Sequence, residues 1–349
     1  MKAAFFTALR TIEIRDVPEP RLSGVEDVLV AVERVGVCGS DVHYYLDGRI
    51  GDQVIDFPAT LGHECAGTVV EVGAAVTHLR PGERVAIDPA LVCGQCDQCR
   101  AGRENTCRRL RFMGGPGEAP GAAAQRYVLP AANCFAVPTS LSLEAAAAVE
   151  PLSIGLYAVR LAGLEPGARA AVIGCGPIGL SVLLALRATA VPARVYATDL
   201  LPERLAAAER CGATWTGNVR QDDVTAAITR AEPLGLEAVF ECSGDPAILD
   251  AAQRLLAPGG QLVLVGIPPT DQVAFSIHTM RRRELTFKNV RRQRGCIAPV
   301  IELITAGRID PTPLLTHRFP LVRISEAFQT VAEYRDGVIK AIVDMTADP

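Results

Sequence analysis

The sequence carries no surplus of positive charge: 35 Lys and Arg stand against 39 Asp and Glu, a formal net charge of -4. The arginines are scattered apart from short runs such as Arg281-Arg282-Arg283, so no field of the kind a polyanion needs is present and no nucleic-acid partner is expected. Uninterrupted apolar runs of membrane length are lacking too. The most apolar stretch, Ala170 to Leu186, is broken by Gly174, Gly176, Pro177 and Gly179 and closed by Arg169 and Arg187; it reads as core, and no membrane association is expected. At the N-terminus, the apolar run in Met1-Lys2-Ala3-Ala4-Phe5-Phe6 is too short for a signal peptide before Arg10, Glu13 and Arg15, which points to a cytoplasmic protein. No repeat of fixed period and no low-complexity tail is visible.

What is present is material for more than one core. A chain of 349 residues, 49 % apolar and 21 % charged, exceeds what one core organises and predicts two globular domains. Its 11 cysteines, odd in number and without a leader, favour thiols and metal ligands over a disulfide framework.

From Lys2 to about Val137 short β-like runs (Val28 to Val35, Gly67 to Val72, Arg84 to Ile87) alternate with Gly, Pro and Asp, the pattern of an irregular, mostly β domain. After Pro138 the character changes. An Ala-rich helical stretch, Leu143 to Val149, leads into units of apolar run, Gly turn and amphipathic helix: Ala170 to Ile173, Val195 to Thr198, Ala238 to Glu241 and Gln261 to Val265. Such alternation predicts an α/β fold with a parallel sheet. Beyond about Val290 the pattern is mixed again, with one helix expected near Ala298 to Ala306.

Gly174-Cys175-Gly176-Pro177-Ile178-Gly179 follows one of the apolar runs and opens a helical pattern. Glycines in this spacing permit a tight turn, close approach of backbone to a pyrophosphate and close helix-on-strand packing, while the helix N-terminus attracts phosphate. Asp199 ends the next apolar run, where a carboxylate accepts hydrogen bonds from ribose hydroxyls and repels a 2'-phosphate, favouring NAD over NADP. The other reading is a simple turn, with Asp199 capping the helix that begins near Pro202. Arg204, one turn on, is expected to flank the adenine, although a guanidinium there also suits a 2'-phosphate.

Cys93, Cys96, Cys99 and Cys107 form a C-x2-C-x2-C-x7-C array. Four such thiolates converge on one tetrahedral ion and leave no open position, so a structural zinc is expected there. Elsewhere Cys38, His63, Glu64 and Glu150 supply a thiolate, an imidazole and two carboxylates. Each has an ordinary reading alone, and sequence spacing cannot bring them together.

These segments resemble those of the zinc-containing medium-chain alcohol dehydrogenases over essentially the whole chain, closest to their sorbitol (polyol) branch. The resemblance is carried by Cys38-Gly39-Ser40-Asp41-Val42-His43-Tyr44, Leu61-Gly62-His63-Glu64, the cysteine array, Glu150-Pro151-Leu152-Ser153, the glycine turn and Thr316-His317-Arg318-Phe319-Pro320-Leu321. It implies a GroES-like, mostly β catalytic domain (1–153, completed by 290–349) and a Rossmann doubly wound parallel-sheet coenzyme domain (154–289). Cys38, His63 and Glu64 are then expected to hold a catalytic zinc, with Glu150 as a water-mediated or exchangeable ligand. Such a ligand set roughly cancels the ion's charge and leaves a position open for water or an alcohol oxygen.

The same resemblance implies a proton relay through Ser40 and His43, and Tyr44, Glu150 and Arg292 as partners for a diol's second hydroxyl. The expected activity is NAD-linked oxidation of a secondary alcohol, in a polyol or vicinal diol, to a ketone. L-threonine or butanediol as substrate, or a non-catalytic member retaining the fold, stand as alternatives; a homotetramer or homodimer is expected. At Asn289-Val290-Arg291-Arg292-Gln293 the chain departs from sorbitol dehydrogenases, which commonly have aromatic residues beside the matching arginine. It also keeps the cysteine array that animal members have lost.

Overall fold

The computed structural model describes residues 1–190 and 193–346, and they fall into two compact units. One comprises residues 1–150, 297–306 and the segment from 315 onward; the other comprises 151–296 and 307–314. The segment 290–349, expected to return as one block, is thus shared: 290–296 and 307–314 lie with the second unit.

In the first unit a seven-stranded sheet runs in the order Cys134–Ala136, Arg84–Ile87, Glu64–Val72, Asp27–Gly36, Lys340–Asp344, Leu315–Pro320, with Arg126–Pro130 pairing Asp27–Gly36. Strand Asp27–Gly36, rich in β-branched residues as a doubly flanked strand should be, is the hub. Gly36 lies opposite Glu64 on one side and Ile342 on the other, so the final strand is brought next to the first residue of Glu64–Val72. Thr316 pins that final strand by accepting from the Ile339 amide (3.0 Å) and donating to the Lys340 carbonyl (3.2 Å).

Apolar side chains of this sheet share a core with helix Gly39–Asp47, whose Tyr44 and Tyr45 are buried. Phe6 packs edge-on against Tyr45 and Phe328, ring centroids 6.2 and 5.0 Å apart, and aromatic pairs in this geometry contribute beyond their buried area. That contact anchors the helix and hence Cys38, the residue that caps its start.

The second unit holds a six-stranded parallel sheet ordered Trp215–Asn218, Arg194–Asp199, Arg169–Ile173, Leu236–Glu241, Leu256–Leu264, Thr286–Asn289. Counted along the chain this is 3-2-1-4-5-6, the doubly wound order whose first crossover carries a dinucleotide's phosphates. The four apolar runs anticipated as strands are its central members. Its two edge strands were not anticipated: Trp215–Asn218 and Thr286–Asn289 are four residues each and largely polar, because an edge strand has one neighbour and a short apolar signature. The apolar stretch Ala170 to Leu186 resolves into strand Arg169–Ile173 and helix Pro177–Ala185. Among the described residues, no helix is long and apolar enough to cross a membrane.

Candidate functional site

The first unit brings Cys38, His63 and Glu64 into one group: a donor atom from each lies within 4.8 Å of the others. Cys38 sits in extended backbone (φ -88°, ψ 150°) before helix Gly39–Asp47. The Ser40 hydroxyl donates to its sulfur at 3.3 Å. His63 and Glu64, at the start of the neighbouring strand, are buried.

Asp41, also buried, faces His63: its Oδ1 is 3.4 Å from Nδ1. That contact occupies one ring nitrogen and leaves Nε2 as the other donor, the way an outer carboxylate orients a metal-binding histidine. The Phe112 ring packs against the imidazole at a tilt, centroids 5.0 Å apart. Burial would lower the His63 pKa, but Asp41 and Cys38, through charge and hydrogen bonds, raise it well above the ordinary histidine value. The pocket therefore prefers positive charge at this point, and a soft thiolate, an imidazole and a carboxylate suit zinc.

Glu150 is buried nearby but outside the group of three. Burial pushes its carboxyl up to about 7; Glu64 and Asp88 act in the same direction and His63 and Lys340 oppose. His43 lies half exposed on helix Gly39–Asp47 with Nδ1 3.8 Å from Asp47 Oδ2. Tyr44 is buried on that helix. Arg292 belongs to the second unit, in left-handed backbone with φ 54°, a conformation that costs a non-glycine residue energy and recurs at functional positions.

The four cysteines of the array form the second cluster. Sulfur–sulfur distances are 3.6 Å for Cys96–Cys99, 3.9 Å for Cys96–Cys107 and 3.5 Å for Cys107–Cys93. A tetrahedral ion with Zn–S of ~2.3 Å separates its sulfurs by about 3.8 Å, so the cluster fits zinc. Backbone amides of Cys93 and Arg109 each donate to Cys107 Sγ at 3.4 Å. The Gln95 amide leads the interactions that bring the Cys93 thiol down to about 6, against ordinary thiol values. Asp97 and Arg108 clamp the lobe with a two-point ion pair at 2.5 and 2.8 Å.

In the second unit Gly174 has φ 88° and no space for a side chain: a Cβ would meet the Ser243 amide at 2.7 Å. At Gly179 a Cβ would strike the Gly174 carbonyl at 1.8 Å, so helix and strand pack as closely as the motif requires. Gly176 begins helix Pro177–Ala185 in extended backbone, Pro177 fills its first position, and Ile178 follows in the first turn. Free amides at that N-terminus suit a phosphate. Asp199 accepts from the amides of Cys175 (2.6 Å), Leu200 (2.7 Å) and Leu201 (2.9 Å), and Arg204 lies 3.9 Å from its Oδ2. Asp199 thus ties down the loop ahead of helix Pro202–Arg210 without capping it, since Leu201 holds the cap position, and its four acceptor positions leave capacity for a ribose hydroxyl.

Two residues of these surroundings stand outside the expected ligand set. Asp41 orients His63. Lys340, fully buried, donates to both oxygens of Glu64; a lone Lys inside the apolar run Val338-Ile339-Lys340-Ala341-Ile342-Val343 is the mark by which it could have been found.

Residues 24–139 match the alcohol dehydrogenase GroES-like domain, and residues 177–306 match the zinc-binding dehydrogenase domain. The chain is 35 % identical to sorbitol dehydrogenase of Bacillus subtilis (strain 168) over 344 residues, 98 % of this chain and 97 % of that protein. It is 40 % identical to sorbitol dehydrogenase of Gallus gallus over 323 residues, 91 % and 89 % of the two chains. A zinc-binding dehydrogenase of Sinorhizobium meliloti 1021, solved with NADP, superposes with a TM-score of 0.89 at 31 % identity over 99 % of each chain. The chain therefore belongs to the zinc-containing medium-chain alcohol dehydrogenases, within their polyol dehydrogenase branch.

Proposed function

We propose that this protein oxidises a secondary alcohol of a small polyol or vicinal diol to a ketone, using zinc and NAD. The observation that carries the reading is the convergence of Cys38 with the adjacent pair His63 and Glu64, which lies further along the chain, on one point. Bound zinc would supply a Lewis acid there, and the nicotinamide the hydride acceptor.

Cys38, His63 and Glu64 would hold that ion, with Glu150 as the exchangeable carboxylate; Asp41 keeps the His63 ring in orientation. Three donors leave a tetrahedral centre one position for the substrate. Ser40, already bonded to Cys38 Sγ, would pass the alcohol's proton toward His43, which at its half-exposed position can release it to water. Tyr44, Glu150 and Arg292 would bind further hydroxyls of the substrate.

In the coenzyme unit the turn Gly174, Gly176, Pro177, Ile178 and Gly179 would hold the pyrophosphate, Asp199 the adenosine ribose and Arg204 the adenine. Preference for NAD over NADP follows from Asp199, whose charge a 2'-phosphate would meet directly. Cys93, Cys96, Cys99 and Cys107 would bind a structural zinc, giving one catalytic and one structural ion per chain. A homotetramer or homodimer in the cytoplasm completes the reading, by likeness to the branch.

A panel of polyols, vicinal diols and L-threonine with NAD and NADP, followed by reduced-cofactor absorbance with a chelator control, tests it. Polyol or diol turnover with NAD, abolished by chelation, is expected; activity confined to L-threonine would refute the substrate class. Asp199→Ala is expected to narrow the NAD preference about tenfold or more, since like charges in close contact cost several kcal/mol. An unchanged cofactor ratio would contradict the role of Asp199.

A further inference from the structure

The final strand delivers a cation into the proposed zinc centre from behind. Lys340 and Glu64 are each 1 % exposed. The Lys340 ammonium donates to Glu64 Oε1 at 2.6 Å, Glu64 Oε2 at 2.7 Å and the Val37 carbonyl at 3.1 Å, which engages all three of its N–H groups. The backbone is shaped for this contact. Gly36, between the two strands, makes way for the carboxylate: a Cβ there would lie 2.2 Å from Glu64 Oε2. Besides Glu64, the titratable groups facing Lys340 are Cys38 and Glu150.

An ammonium held on both oxygens of a metal-binding carboxylate has two consequences. Each oxygen retains a second acceptor direction, so Glu64 can bind a metal while bonded to Lys340. In the metal-free state the same ammonium keeps Glu64 from being a bare buried anion, which would be strongly destabilising. Toward a dication, however, Lys340 is a like charge at short range.

We propose that Lys340 is a built-in counter-ion of the Cys38–His63–Glu64 centre, stabilising the fold without metal and limiting how tightly the centre retains zinc. This rests on the assignment of Glu64 to the zinc centre. By linkage, removing the ammonium penalises the metal-free state more than the metal-bound state, so zinc affinity rises as metal-free stability falls.

The test compares Lys340→Met, Lys340→Arg, Glu64→Gln and the Glu64→Gln/Lys340→Met double variant. Zinc release to a chromophoric chelator is read in each, with Cys38→Ser giving the share of the cysteine lobe, and metal-free protein is melted. Lys340→Met is expected to release the centre's zinc at least tenfold more slowly and to melt lower without metal. Lys340→Arg should behave as the parent, and the double variant should recover metal-free stability. Equal or faster zinc release from Lys340→Met overturns the proposal.

If Lys340→Met does not fold even with zinc, the double variant decides: recovery supports the counter-ion role, and failure assigns Lys340 to packing and overturns it. Wild-type zinc retention in Glu64→Gln would instead remove Glu64 from the centre and refute the metal reading itself. Weakened retention there, with Lys340→Met unchanged, refutes only the role of Lys340.

Discussion

The two thiolate-bearing clusters of the first unit are built in opposite ways. The cysteine lobe draws four identical side chains from Cys93 to Cys107, so its closure is local and needs little of the surrounding sheet. The Cys38–His63–Glu64 centre draws three different side chains from a helix start and a strand start, and behind them lie Asp41 and Lys340. The lobe holds charge near the surface, whereas the centre holds it buried. A mixed set with an outer layer of charges, two of its three members buried, is costly to assemble, and three donors around a metal would leave one position open for chemistry.

Cys38→Ser probes the sharpest difference between them. Turnover is expected to fall by about 10³-fold or more, because several kcal/mol of transition-state stabilisation depend on the ion. NAD binding, measured by cofactor fluorescence, should persist. Full activity in this variant would erase the functional distinction between the clusters.

Cys99→Ser tests the other side of the comparison. A structural site contributes to folding directly, so melting temperature should drop by several degrees, in the range that about 2 kcal/mol produces. Turnover per folded molecule should stay within a fewfold of the parent. A variant that melts normally yet loses catalysis would reverse the two roles.

A third contrast is a pH dependence confined to the buried centre. Glu150, pushed from 4.5 up to about 7 by burial first, binds its proton more tightly folded than unfolded. Its contribution to stability is therefore fully present below about pH 4.5 and is lost as pH rises through 7. In zinc-free protein, the stability advantage of Glu150→Gln over the parent should grow by about 2–3 kcal/mol between pH 5 and pH 8. Denaturant melts at the two pH values check this, and a constant difference would contradict it.

The same contrast explains what could be read from the letters. The cysteine array and the glycine turn are contiguous, and their geometry follows from spacing, so both were visible before any fold was known. Cys38 is separated from the adjacent pair His63 and Glu64 by helix Gly39–Asp47 and a short hairpin, so only the fold brings the three together, and they were reached through resemblance. Lys340 lies farther still, on the last strand, joined to Glu64 by Gly36 pairing on both sides. Nothing local marks such a contact except a charge in an apolar run. Short polar edge strands were missed for a different reason: their sequences carry too little apolar periodicity to stand out.

Zinc-edge X-ray absorption on the parent and the Cys38→Ser variant tests most directly whether those three residues share one ion. The difference between the two spectra should be that of a single zinc with one sulfur at ~2.3 Å and nitrogen and oxygen at ~2.0–2.2 Å. Identical spectra and equal zinc content, or a lost zinc with four sulfur ligands, would contradict the account.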